Sequence, residues 1–136
     1  LVKGSTDLHT PSVTQREVAM YMENYDFEEH VQENCQLYAH RRDIMCDSIK
    51  KYFPENVHCT YPHGGLFLWV ELPENCDSRE LFAEAIKRKV AYVPGDSFFP
   101  ASGKKNYFRL NFSYNDDAVI EEGIKRLGEA IKAYLK

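Results

Sequence analysis

The 136-residue sequence has no apolar run near the roughly 18–20 residues of a bilayer-spanning helix. Nor has it a surplus of basic charge. Its 17 Lys and Arg against 21 Asp and Glu leave a formal charge of −4, which argues against a nucleic-acid or anionic-membrane footprint. The four cysteines, Cys35, Cys46, Cys59 and Cys76, form no C-x-x-C and no paired metal-ligand spacing. Scattered thiols without a secretory leader read as reduced, small apolar packing residues of a cytoplasmic protein. His9, His30, His40, His58 and His63 are equally dispersed. Cys59 and His63 stand one helical turn apart in sequence, but Pro62 between them argues against a helical pairing, and no zinc site is expected. No G-x-S-x-G, P-loop, G-x-G-x-x-G or H-E-x-x-H is present. There is no internal repeat and no low-complexity tract. The opening Leu1-Val2-Lys3-Gly4-Ser5-Thr6 has no signal-peptide core and no initiating Met, and the expectation is a piece of a longer protein.

What is present suits one globular domain, with 43% hydrophobic and 13% aromatic residues. Residues 5–11 read as a loop. Ser12 with Gln15 reads as a capping box that opens a helix carrying Val18, Met22 and Tyr25 on one face. Asp26 with Glu29 opens a second, long amphipathic helix with Val31, Cys35, Tyr38, Arg42, Met45, Ile49 and Tyr52 in its stripe, ending near Pro54. Arg42 within that stripe reads as a buried pair or, more simply, as a snorkelling side chain.

The texture changes after residue 60. Tyr61-Pro62-His63-Gly64-Gly65 is turn chemistry, and the apolar run Leu66–Val70 predicts a strand over 66–72 buried on both faces. Asp77 with Glu80 predicts a capped helix to about Lys89, and Val90–Val93 a short strand stopped by Pro94-Gly95. A loop follows to Asn106, carrying Phe98-Phe99-Pro100 and the polar tip Ser102-Gly103-Lys104-Lys105. Base rates place the two Phe rings in the core, although the loop also has the make-up of a lid. Tyr107–Ser113 alternates cleanly, with Phe108, Leu110 and Phe112 on one face and Tyr107, Arg109, Asn111 and Ser113 on the other. Asn115 or Asp116 opens a last helix with Ile120, Ile124, Leu127, Ile131 and Tyr134 on one side. The predicted class is α+β: a small antiparallel or mixed sheet covered by helices and preceded by a long amphipathic helix. Residues 1–55 form the helical lead-in and residues 56–136 the α+β domain.

Taken alone, Arg109 on its strand face suits bidentate capture of a carboxylate or phosphate, although alternation by itself produces solvated polar faces of this kind. Gly64-Gly65 reads equally as a tight turn or as a place where backbone approaches a ligand. The run Tyr107–Phe112 lacks the glycines of an RNA-binding strand, and the negative charge also opposes that reading.

Four segments in order add a resemblance: Pro62–Pro73, Val90–Phe99, Phe108–Ser113 and Ile120–Leu127. Together they resemble the C-terminal small domain of class I/II aminotransferases, the fold type I enzymes dependent on pyridoxal phosphate. Their spacing is similar to that of the branch holding 2-aminoadipate and kynurenine aminotransferases and MocR-type regulators, and Asp7–Gln15, Glu29-His30 and Tyr38–Asp43 agree with it. The resemblance implies that Arg109 binds the α-carboxylate of an amino acid or 2-oxo acid, with Gly65 and Phe98 bordering the substrate cleft. It implies a homodimeric parent enzyme of amino acid metabolism, in which the stretch matching Ser5–Pro11 lies near the dimer interface. The family's Schiff-base lysine lies in a Ser-x-Ser-Lys-like motif that nothing here matches, and its aspartate partner of the pyridine nitrogen is also missing. No catalytic and no cofactor-binding residue is therefore assigned. Pyridoxal phosphate is expected in the parent protein and not on this chain alone, which is expected to be inactive. The alternatives are the effector-sensing domain of a MocR-type regulator and a stand-alone ligand-binding α+β module.

Overall fold

A computed structural model describes residues 2–99, 101 and 103–136. Pro100 and Ser102, part of the predicted loop and its tip, lie outside the described residues. The chain forms two compact units, Leu1–Gln36 and Leu37–Lys136.

The first unit holds α1 (Val2–Thr6), α2 (Ser12–Asn24) and the first part of α3 (Phe27–Tyr52). The loop expected from residue 5 starts later. The Ser5 and Thr6 hydroxyls both donate to the Val2 carbonyl, at 2.8 and 2.9 Å, and Lys3 pairs with Asp7 at 2.9 Å, which holds one helical turn. The Ser12–Gln15 capping box does not form. Pro11 is the N-cap, its carbonyl accepts from the Gln15 backbone N–H at 3.1 Å, and the Gln15 side chain turns to the Thr10 carbonyl at 2.7 Å. The next start follows its sequence signal: Asp26 Oδ1 accepts from the Glu29 N–H at 2.9 Å. Among the described residues of this unit none is buried, so Val18, Met22, Tyr25, Val31 and Cys35 are all exposed.

In the second unit, β1 (His58–Cys59), β2 (Phe67–Glu71), β3 (Val93–Pro94) and β4 (Tyr107–Asn111) form an antiparallel sheet in the order β1-β2-β4-β3. Helices α4 (Ser78–Lys87), α5 (Asp117–Tyr134) and the end of α3 build the core with one face of it. Leu68, Val70 and Leu72 join Phe108, Leu110 and Phe112 there, against Met45, Ile49, Leu81, Ile124, Leu127 and Ile131. Both later helices keep the caps expected of them: Asp77 accepts from the Arg79 N–H at 2.8 Å and Asp116 from Val119 at 3.0 Å.

Two strand expectations need correction. β2 is buried on one face only. With helices on a single side of the sheet, Phe67, Trp69 and Glu71 point to the open side, Phe67 exposed and the other two partly buried. The strand expected over Val90–Val93 is Val93–Pro94 instead. Tyr92 leaves the ladder to stack on Phe108 at 4.3 Å and to donate its hydroxyl to the Ser78 carbonyl at 2.6 Å. Pro94, lacking an N–H, is tolerated because β3 is a sheet edge.

Candidate functional site: the open face of the sheet

Alternation along β2 and β4 puts Phe67, Trp69, Tyr107, Arg109 and Asn111 on the uncovered side. Antiparallel register sets Trp69 opposite Arg109 and Phe67 opposite Asn111. The loop after β3 completes the layer. Gly95 donates its N–H to the Tyr107 carbonyl at 2.7 Å, and a single 3-10 turn, Asp96–Phe98, follows. That turn lays Phe98 and Phe99 across Trp69, with ring centroids 5.3 and 5.8 Å away, and Phe99 also meets Tyr107 at 5.0 Å. The two rings therefore lie on the open face, not in the core as base rates suggested. The core face is already filled by Tyr92 and Phe108, and Phe98 stays 46% exposed.

Arg109 sits among these rings. Its guanidinium carbon is 4.0 Å from the Phe67 ring centroid and 5.0 Å from that of Phe98. Its Nε is buried and has no hydrogen-bond partner, and among the described residues no ion pair holds the guanidinium. An unmet buried donor costs about 1–3 kcal/mol, a deficit that an arriving oxyanion removes. Arg109 and Phe67 also border a groove of about 350 Å³ that passes Val93 at the β3 edge and reaches Tyr92 and the first turns of α5 on the covered side. Phe98 and Trp69 are not in its lining, which contains no lysine and no carboxylate. Nearby acids are occupied elsewhere: Glu71 accepts from the Tyr107 hydroxyl, and Asp96 pairs with Arg79 at 2.7 Å. The Arg79 guanidinium holds the Asp96 carboxyl below its ordinary range.

Of the three residues expected at the site, Arg109 and Phe98 come together. Gly65 does not join them by any recorded contact. It leads into β2 with φ +78°, which is what demands glycine, and nothing stands within 4 Å of where its Cβ would be. The residue missed is Phe67, hidden in a run read as buried throughout; its parity with Trp69 and Glu71 was the available signal. Of the two readings of Arg42, the structure takes the paired one over the simpler snorkelling one: its Nη2 lies 2.8 Å from Asp43, with 16% of the side chain exposed.

Residues 1–127 match the model of the family described as aminotransferase class I and II. The chain belongs to that family. It is 39% identical over its whole length to aromatic-amino-acid aminotransferase 1 of Thermococcus litoralis, covering 33% of that protein. It is 35% identical over 98% of its length to 2-aminoadipate transaminase of Thermus thermophilus, again covering 33%. The crystal structure of Pyrococcus horikoshii kynurenine aminotransferase superposes with a TM-score of 0.92 at 44% identity, over 99% of this chain and 33% of that one. HTH-type transcriptional regulators of Escherichia coli match at 31 and 27%. The chain thus spans about a third of the length of the aminotransferases it matches. The α+β class with a small antiparallel sheet agrees with these structures. Among the described residues no helix is long and apolar enough to cross a membrane, and no cluster of metal-ligating side chains occurs.

Proposed function

We propose that these 136 residues act as the C-terminal part of a pyridoxal-phosphate-dependent aminotransferase that moves an amino group between an amino acid and a 2-oxo acid. Residues 1–55 lead in from the rest of that enzyme, and residues 56–136 are its small domain. Family membership supports this reading, as does the third-length coverage of aminotransferase relatives. A cytoplasmic homodimer, with residues 5–11 near its interface, belongs to the same reading.

One observation carries the assignment on this chain: a guanidinium flanked by two rings, with a buried Nε that has no acceptor, in a groove without a carboxylate. Arg109 is placed to take the substrate carboxylate through two parallel N–H donors, fixing the substrate's orientation. Phe67 and Phe98 exclude water from that ion pair and so strengthen it. Gly65 is assigned to the cleft border by the family resemblance alone, its turn leading into β2. Pyridoxal phosphate, when bound, supplies the carbanion chemistry. The groove residues, holding neither lysine nor carboxylate, do not fit that group and do fit its substrate; in this reading the Schiff-base lysine and the pyridine partner come from outside these residues.

Arg109→Lys in the full-length enzyme keeps the charge and loses the fork. Steady-state kinetics should show a raised KM for the amino acid and a kcat/KM lower by about 10- to 100-fold. Unchanged constants would sink the role given to Arg109. The regulator reading is weaker, because the relatives of higher identity carry aminotransferase names. A winged-helix segment in the parent reading frame would revive it. For a stand-alone module, binding of an amino or 2-oxo acid by the isolated chain would have to disappear in Arg109→Ala.

A further inference from the structure

Four consecutive residues of α3 reach three segments at one end of the sheet. His40 Nε2 pairs with Asp117 at the start of α5, at 2.7 Å, and Arg41 donates to the Ser113 carbonyl just past β4. Arg42 Nη1 donates to the Pro62 carbonyl at 3.1 Å, and its Nε to Asp43 Oδ1 at 2.9 Å. The same Asp43 oxygen accepts from the Tyr61 hydroxyl at 2.7 Å, while the Arg42 guanidinium carbon stands 4.5 Å from the Tyr61 ring centroid. Long side chains fanning from one helical turn make this possible. The segments they hold are neighbours: residues 61–65 enter β2 and Ser113 leaves β4, where Phe67 faces Asn111 and Phe112 donates to the Leu66 carbonyl at 3.2 Å.

Just before the 61–65 turn, the Thr60 N–H donates to the Trp69 carbonyl at 2.9 Å and the Trp69 N–H to Thr60 Oγ1 at 3.0 Å. Within the turn little else holds the chain. Among the described residues, the turn's own recorded hydrogen bonds are those of Pro62 with Arg42 and of Tyr61 with Asp43. It contains Gly64 and Gly65, both exposed, so its unfastened backbone is among the freest in the unit. Arg42, Asp43 and Tyr61 all lie outside the hydrophobic core. Two residues beyond the turn is Phe67, whose ring packs against the Arg109 guanidinium.

We infer that Arg42 and Tyr61 are positioning residues for the Arg109 subsite: clamped through Asp43 and the Pro62 carbonyl, they fix the turn that delivers Phe67 beneath the guanidinium. This rests on the reading of Arg109 as the carboxylate anchor. The clamp orders the cleft wall before substrate arrives, so its loss acts on binding more than on the chemical step.

The test is steady-state kinetics with thermal melts on the full-length holoenzyme carrying Tyr61→Phe, Arg42→Ala, Arg42→Lys or, as control, Arg109→Lys. Tyr61→Phe removes one hydroxyl from a half-exposed ring and should raise the amino-acid KM about 3- to 10-fold, leaving kcat and the melting temperature near their original values. Arg42→Ala should raise KM further, and Arg42→Lys should recover part of it. If Arg42→Ala does not fold, Tyr61→Phe alone decides. An unchanged KM in Tyr61→Phe alongside a raised KM in Arg109→Lys overturns the clamp and spares the anchor. An unchanged KM in Arg109→Lys removes the anchor and the clamp with it.

Discussion

On β1, the Cys59 thiol meets that of Cys46 on α3, and Lys50 adds a positive charge beside the pair. Contact with Cys46 first, and Lys50 with it against the opposing effect of burial, holds the Cys59 pKa below the ordinary thiol range, whereas contact with Cys59 and burial push Cys46 up. Of the two thiols, Cys59 is therefore the one that ionises first. Iodoacetamide labelling read by peptide mass mapping should modify Cys59 at lower pH than the buried Cys46 and Cys76. Equal labelling of all three would contradict this. Asp43 makes a second pH-dependent feature. The Tyr61 hydroxyl first, then Arg42, hold its carboxyl below the ordinary range. The unfolded state therefore binds that proton more readily. The clamp's contribution is complete above the usual carboxylate pKa of about 3.9 and is lost as pH falls through the lower folded value. A titration of the Tyr61 ring resonance should show its midpoint below that figure; a midpoint above it would contradict the bonding described.

Between elements, two glycines set how closely backbones approach. A Cβ at Gly128 on α5 would lie 2.6 Å from the Tyr52 carbonyl oxygen, and one at Gly95 equally close to the Tyr107 oxygen. Alanine at either position should cost about 1–3 kcal/mol, read as a lower urea midpoint. Gly123, in the same helix but with nothing within 4 Å, should gain about 0.5–1 kcal/mol as alanine. The elements legible in the sequence are those with local signals: α4 and α5 through Asp77 and Asp116, and β4 through its strict alternation. β1 is too short to show a period, and β3 moved because Tyr92 found a stacking partner from β4 that no local pattern announces. The run at β2 does not by itself distinguish one buried face from two, since aromatic residues suit a half-covered surface as well as a core. The face bearing Arg109 was readable from strand parity. Its companions were less so: the face of Phe67 follows from parity with Trp69 but its partner only from register, Phe98 enters through the resemblance and not from its loop, and Tyr61 reaches Asp43 across 18 positions.

Over the whole chain, the two units should differ sharply in local stability. With no buried residue among those described, residues 2–36 should exchange their amide hydrogens fast, while β2, β4 and the core-facing turns of α5 exchange slowly. Uniform protection along the isolated chain would contradict this. The isolated chain is also expected to lack transaminase activity and, with Val18, Met22 and Tyr25 exposed, to associate with itself at raised concentration, which light scattering would detect. The one-sided sheet has a consequence for descent. Along β4 alternate codons answer to different demands: those for Phe108 and Leu110 to the packing of the core, those for Tyr107, Arg109 and Asn111 to whatever the open face meets. A lineage can therefore change the second set residue by residue and keep its architecture. Deleting one codon from β4 would exchange the sets, turning Arg109 inward and Phe108 outward in a single event.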